Sequence, residues 1–375
     1  MRQEGVHTQA IRWEIGPIHS ALSGVYRLNL DLDGEVIRGA QIETGYTTRG
    51  LEVLLTRHSW RGAIPFLDRI DPDAAVFFEW AYCLTVEEIA EIETPARARG
   101  VRIIVAELTR ISCHLLYLAK VSRAAGAEAA FHLLGRERER ILDLLELLCG
   151  SRHAPAFIIP SGVREDVTEG FLERVNEICQ QILVRLKEYN DLITYNDAFV
   201  RRVAGRGVIS RMMVDLAGVS GIPERIFEPA RDLRRETERL GYGAFRPDVQ
   251  PVAEPLGVPG DIHHRFVARL HEIIQSAKLL QELTHRLPTG GYRLRSVNED
   301  LVAAGTALAT VEAPRGRLGL SLSSDGKRQG PAEIGFLTPS ATLIEILPRY
   351  LEGAPVQDLS LFLHALDFKV TEVDR

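Results

Sequence analysis

The sequence predicts an α+β chain, with an N-terminal antiparallel β-sheet, a central bundle of long helices and a C-terminal part that mixes strands and helix. Three observations predict it. Apolar residues alternate near the N-terminus, they recur at helical spacing through the middle, and short strand-and-turn patterns return after Leu287.

The alternation is cleanest over Val25 to Leu32. There Tyr26, Leu28, Leu30 and Leu32 face one way and Arg27, Asn29 and Asp31 the other. Asp33-Gly34 then supplies a tight turn, and Glu35 to Ile42 returns as a second strand. From about Thr85 the period becomes helical. Long helices are expected over Ala96 to Lys120, Ala127 to Cys149 (stopped by Gly150), Glu169 to Ile193 and Ile262 to Leu287. Helices of this length in one chain pack as a bundle. Between Pro223 and Pro259 lies a Pro/Gly/Arg-rich stretch with little periodicity, expected to be a long functional or partner-bound loop. Ala303 to Glu312 and Leu318 to Ser323 read as strands, Ser324-Asp325-Gly326 as a turn, and Ala341 to Leu351 as a last helix. The expected division is residues 1–60 as a β domain, 61–290 as the helical bundle with its loop at 223–260, and 291–375 as the C-terminal part.

Composition narrows the function classes. With 375 residues, 45% of them hydrophobic and 26% charged, the chain can bury a large core. A net charge of -6 gives no general attraction to nucleic acid. No run approaches the ~20 apolar residues of a membrane span, and Met1 to Arg12 lacks the apolar core of a signal peptide. Cys83, Cys113, Cys149 and Cys179 are scattered, without a C-x-x-C pair, and read as buried helix thiols. No G-x-G-x-x-G, phosphate-binding loop or nucleophile elbow is present, which argues against a stand-alone nucleotide-dependent or hydrolytic enzyme.

Several segments then carry a family likeness, in order, over residues 16–375. Gly16-Pro17-Ile18-His19 followed by Gly24-Val25-Tyr26-Arg27-Leu28 resembles G-P-Q-H-P-x-x-H-G-V-x-R-L. Gly45 to Glu52 is similar to I-G-x-x-H-R-G-x-E. Ala81 to Glu87 resembles A-Y-x-x-A-V-E, and Glu107 to Arg110 with His114 resembles E-x-x-R-x-x-x-H. Arg136-Glu137-Arg138-Glu139 with Asp143, Glu312 to Gly316 with Ser324-Asp325-Gly326, Pro339-Ser340, and the terminal Glu372 to Arg375 fit as well. Together they resemble the 49 kDa (D-type) subunit family of complex I, the NADH-quinone oxidoreductase. That family is a relative of the large subunits of membrane-bound nickel–iron hydrogenases.

The resemblance implies the hydrogenase large-subunit fold and a peripheral-arm subunit on the cytoplasmic side of the membrane. It implies that a quinone is reduced in a cavity shared with a small Fe–S subunit, coupled to ion translocation by membrane subunits. The implied partners are subunits like B, C and the membrane anchor H of complex I. The Fe–S cluster would lie in the partner, and NADH would act only through other subunits. Hydrogenases hold their metals with two C-x-x-C pairs, since soft thiolates suit nickel and iron. Counted without gaps from Arg49, the first pair falls on Asp71 and Ala74; the second falls on Lys369 and Glu372 after Asp367. All four ligands are absent, so no metal is expected here.

By the same resemblance Tyr82 would hold the quinone headgroup, using a hydroxyl able to hydrogen-bond a carbonyl. The family's second headgroup ligand, a His, is Ser23 here, and the Asp placed behind it is Ala124. His19 is retained in the signature. Arg49 and Glu52 would face the partner's cluster, with His153 a shifted stand-in beside Pro155 for a family His near it. Two other readings stay open. One is a metal-free subunit of a hydrogenase-related, formate hydrogenlyase-like complex, suggested by Arg231-Asp232-Leu233-Arg234-Arg235; the other is a non-catalytic assembly module.

Overall fold

Alternating burial makes the N-terminal sheet. In β2 (Arg27–Asp33) Leu28, Leu30 and Leu32 point into the core, and a turn at Gly34 leads into β3 (Val36–Glu43). The two pair antiparallel, Leu28 opposite Ile42 and Leu30 opposite Ala40, with an irregularity at Asp31/Leu32. A third strand, β1 (Ile11–Ile15), pairs with β2. Its first four residues are exposed, so no alternation marks it in the sequence. The computed structural model describes residues 11–229, 231–245, 247, 256–294 and 302–375.

Two short helices, α1 (Leu51–Leu55) and α2 (Ile64–Leu67), lead to α3 (Ala75–Ile89). This helix begins ten residues before the change of period expected at Thr85. The reason is burial on every side: each residue from Ala75 to Glu87 is buried, because α3 lies between the bundle and the C-terminal sheet. A helix without a wet face has no amphipathic stripe to read. The bundle itself is α4 (Ala96–Ala124), α5 (Glu128–Cys149), α6 (Phe171–Tyr189) and α11 (Ile262–Arg286), each packed on its neighbours in that ring. The four cysteines are buried, one each in α3, α4, α5 and α6. After α5 a two-residue hairpin, β4 (Ile158–Ile159) and β5 (Gly162–Val163), precedes α6. Helix α6 ends in a π-helical turn at Asn190–Thr194.

The stretch expected to be a loop is more structured than its composition suggests. Helices α7 (Asp197–Val203) and α8 (Arg211–Ala217) precede it; within it α9 (Ile222–Arg225) and α10 (Leu233–Glu236) lead into short 3₁₀ turns at Glu238–Leu240 and Gly243–Phe245. Its described part is held by charge: Arg225, Asp232 and Arg234 are buried and ion-paired. A hydropathy pattern cannot show an arginine that folds inward onto a carboxylate. The remainder of the expected loop, 248–255, lies outside the described residues. Strands β6 (Gly305–Ala313), β7 (Gly316–Ser324) and β8 (Glu333–Leu337) form a second antiparallel sheet, followed by α12 (Pro339–Leu351) and α13 (Leu359–Leu366). Helix α12 packs against β3, which brings the C-terminal part onto the N-terminal sheet. The α+β architecture is therefore the expected one. No described helix is long and apolar enough to cross a membrane.

Candidate functional site: a charged cluster at the vacated ligand positions

Two chain segments far apart in sequence meet at one place: the turn after α2, carrying Asp71 and Asp73, and the tail after α13, carrying Asp367, Lys369 and Glu372. Asp367 ends α13 in the left-handed conformation (φ 59), which an Asp tolerates better than most residues and which turns the tail inward. Lys369 Nζ lies 2.7 Å from Asp73 and 3.9 Å from Asp71. Arg315, at the tight turn between β6 and β7, pairs with Asp71 and stands 3.5 Å from Asp367 and 3.8 Å from Glu372. Three of the four positions that would be thiolates are thus charged side chains locked to one another, and the fourth is Ala74. The donor set does not fit a nickel–iron centre. It offers no thiolate, and an ammonium and a guanidinium stand among its carboxylates.

The charges set one another's protonation. Burial alone would raise Asp73, but Lys369, Arg315 and Arg138 override it and hold the carboxyl well below its usual range. At Glu372 burial wins: although Arg315 is near and Ser340 N donates to it (3.1 Å), the carboxyl is pushed up to about 7. Cys113 faces the cluster, donating Sγ–H to the Asp73 carbonyl at 3.1 Å. Burial pushes its thiol up to about 12, which leaves it unreactive.

The 16–26 loop lies against the same tail. Tyr26 packs on Phe368 (5.3 Å between ring centres), and Gly24 approaches Val370 so closely that a Cβ would sit 3.0 Å from its Cγ1. Half-buried Ser23 has its hydroxyl 3.2 Å from the Tyr26 hydroxyl. His19 is exposed, and its Nδ1 accepts from Ala21 N (3.2 Å). The 45–52 segment clamps the chain's end. Asp374 accepts from Gly45 N (2.7 Å) and Thr47 N (3.0 Å), and Arg375 donates to Glu52 (2.8 Å). Arg49, exposed, donates to the Arg69 carbonyl (2.9 Å), two residues before Asp71.

Tyr82 sits apart from this meeting point, and His153 lies at its edge, across a small crevice from Asp73. Tyr82 is fully buried in α3, and its hydroxyl donates to the Trp60 carbonyl at 2.8 Å. In this arrangement it presents no group to a bound molecule. His153 is exposed on a strained turn (Ala154 φ 51, Ala156 φ 44). It lines, with Asp73, Arg152 and Pro155, a crevice of about 20 Å³, room for a single water. Ala124 closes α4.

Sequence reasoning missed the polar spine that leaves the cluster through the bundle. Arg269 pairs with Asp367 (2.8 Å) and donates to His114 Nδ1 (3.1 Å); His114 Nε2 meets Glu272 at 2.8 Å. Because Nδ1 accepts, the ring is neutral and its Nε2–H donates to Glu272. Burial holds His114 down at about 4, in agreement. Glu272 pairs with Arg225, and Arg225 with Glu312 (2.5 Å). Glu107 completes the interior network, accepting from Arg234 (3.3 Å), Ser276 (2.5 Å) and Tyr242 (2.6 Å). The R-D-x-R segment is thus core rather than surface at Asp232 and Arg234. The available signal was spacing: Glu107, Arg110 and His114 on α4, and Arg265, Arg269 and Glu272 on α11, recur every three to four residues on buried faces.

A second missed feature is a carboxyl pair beside the His153 turn. Glu79 Oε2 accepts from Phe157 N (2.8 Å) and Ile158 N (2.7 Å), and Asp68 Oδ2 from Ala156 N (2.8 Å). The other oxygens of the pair, Asp68 Oδ1 and Glu79 Oε1, are buried with no hydrogen-bond partner among the described residues, and burial raises both carboxyls above their ordinary range, Glu79 further through the charge of Asp68.

Comparison with known proteins shows the family. The model of the family described as respiratory-chain NADH dehydrogenase, 49 Kd subunit, matches residues 124–302 and 296–375. The D-type subunit of NADH-quinone oxidoreductase from Desulforamulus reducens is 33% identical over 369 residues, spanning 98% of this chain and 99% of that protein. Its counterparts from Bacillus mycoides and Bacillus anthracis are each 33% identical over 370 residues, spanning 98% of this chain and 100% of theirs. The chain belongs to the family of the 49 kDa, D-type subunit of respiratory-chain NADH dehydrogenase.

Proposed function

We propose that the chain is the subunit of an NADH-quinone oxidoreductase-type complex that forms, with a small Fe–S partner subunit, the cavity in which a quinone is reduced. The observation that carries this reading is the convergence of the 16–26 loop with the two vacated ligand segments around Lys369. Reduction of a quinone to a quinol takes two electrons, here from the partner's cluster, and two protons. At the meeting point Ser23 and Lys369 carry donors that can hydrogen-bond a carbonyl oxygen, and the ammonium of Lys369 stabilises negative charge as it develops there. Arg49, Glu52 and His153 belong to the surface turned towards the Fe–S subunit, and His19 steadies the loop. Tyr82 supports the wall rather than the headgroup. Subunits like C and the membrane anchor H complete the peripheral arm on the cytoplasmic side, and NADH reacts elsewhere in the complex.

The test is to purify the complex from membranes through a tag on this chain and measure donor-dependent quinone reduction. An Fe–S subunit should co-purify. Lys369→Met should lower quinone turnover at least tenfold while the cluster is still reduced by the donor. Recovery of the tagged chain from its native membranes without any Fe–S subunit, or full turnover in the Lys369→Met complex, would overturn the reading. A non-catalytic docking module is the second reading. It is favoured by the hydroxyls of Tyr82 and Ser23 already being engaged within the protein. A complex that oxidises its donor yet never reduces a quinone would establish it.

A further inference from the structure

A sizeable cavity lies away from the charged cluster, in a groove between α6 and α11. Its volume is about 380 Å³, within the ~300–1,000 Å³ of small-molecule sites. Tyr195, just past α6, rests against His263 at the start of α11 (6.4 Å between rings), so the two helices run antiparallel. Each gives one face to the groove at helical spacing: Leu183, Leu186, Lys187 and Asn190 from α6, and Val267, Leu270, His271, Ile274 and Lys278 from α11. From Val267 to Lys278 this is about 16 Å at ~1.5 Å per residue.

The lining divides by chemistry. The floor is apolar, with Leu186, Val267 and Leu270 buried. The polar groups are Lys187, His271 and Lys278, with Asn190 and Tyr195 at one end, and the lining contains no carboxylate. The side chains of Lys187, Asn190, His271 and Lys278 have no hydrogen-bond or ion-pair partner among the described residues. In the interior, by contrast, Arg102, Arg225, Arg234 and Arg315 each meet a carboxylate. A long apolar trough edged by unpaired cations is complementary to one kind of molecule, an alkyl chain with an anionic head. An α-helix, about 10–12 Å across, would seat only a row of its side chains in this volume, whereas a single alkyl chain enters whole.

We propose that the α6–α11 groove binds a single-chain anionic amphiphile, its tail along Leu183, Leu186, Val267, Leu270 and Ile274 and its head held by Lys187 and Lys278. Titration calorimetry on the full chain tests this with dodecyl phosphate below its micelle concentration. Dodecyltrimethylammonium and inorganic phosphate serve as the tail-only and head-only controls. Dodecyl phosphate should bind once per chain, at least tenfold tighter than either control. Lys187→Ala with Lys278→Ala changes two exposed side chains, so the fold should persist by circular dichroism while affinity falls at least tenfold. Ile274→Trp, which fills the trough, should abolish binding. Equal affinity for the cationic amphiphile, or an unchanged affinity in the double-lysine variant, would overturn the proposal. So would a groove closed to dodecyl phosphate in the assembled complex, which would assign it to an acidic helix of a partner subunit.

Discussion

Glu372 makes the stability of this protein depend on pH in a direction opposite to most carboxylates. It stands 2% exposed in the charged cluster. Burial pushes it up to about 7 from an ordinary 4.5, against the pull of Arg315. The folded chain therefore holds this proton more tightly than the unfolded chain does. A raised folded value stabilises fully below pH 4.5, and that contribution is lost as pH rises through 7. At about 1.4 kcal/mol for each tenfold step, the gap between 4.5 and 7 amounts to about 3 kcal/mol. Glu372→Gln removes the titration and keeps the bond from Ser340 N to an oxygen acceptor. Urea unfolding of both proteins from pH 4.5 to 8.5 isolates the effect as a difference, because other groups titrate equally in each. The variant should gain about 3 kcal/mol on the wild type between pH 4.5 and 7.5, then run parallel to it. A difference that stays flat across that range refutes the assignment, and one of opposite sign means that Arg315 dominates the site.

Three further outcomes follow from the same interior. Arg315→Leu leaves Asp71, Asp367 and Glu372 without their shared cation and should cost about 3–5 kcal/mol by urea unfolding at pH 7. Part of that loss should return at pH 5, and a change under ~0.5 kcal/mol would mean that Lys369 alone suffices. A proton held on Glu79 by burial and by the neighbouring charge of Asp68 should appear in the infrared as a carboxylic-acid carbonyl band at pH 7, absent from Glu79→Gln and shifted in deuterated solvent. Tyr82→Phe orphans the Trp60 carbonyl and should cost about 1–3 kcal/mol of stability. Quinone turnover of the assembled complex should stay unchanged; a tenfold loss without instability would restore the headgroup role to Tyr82.

What the sequence made legible is what period and motif order encode. The β2–β3 hairpin, the four bundle helices and the β6–β7 pair fall close to where alternation and helical spacing predict them; α5 and α6 each show a wet and a dry face, and α4, buried at every residue from Gly100 to Leu115, is betrayed by its length instead. Helix α3 was hidden by being dry on every side, and β1 by being wet on nearly every residue. The 223–260 stretch misled for a different reason. Its order comes from Arg225 and Arg234, and pairing between charges distant in sequence leaves no trace in local composition.

The candidate site follows the same logic one level up. Gap-free counting from Arg49 and Asp367 singled out Asp71, Ala74, Lys369 and Glu372, and the fold brings those segments together. Counting could not say what replaces four thiolates. Carboxylates gathered in a protein interior cannot stand alone, since each buried charge needs a partner. Lys369 provides one at a ligand position itself. Arg315 provides the other from the β6–β7 turn, and Asp367 hands the balance on to Arg269 and the neutral ring of His114. One carboxyl, Glu372, is left under-compensated, and it is the one whose proton lies near neutral pH. Beside the 16–26 loop the cluster thus holds a fixed ammonium and an exchangeable proton, groups of the two kinds that the proposed reduction of a quinone needs.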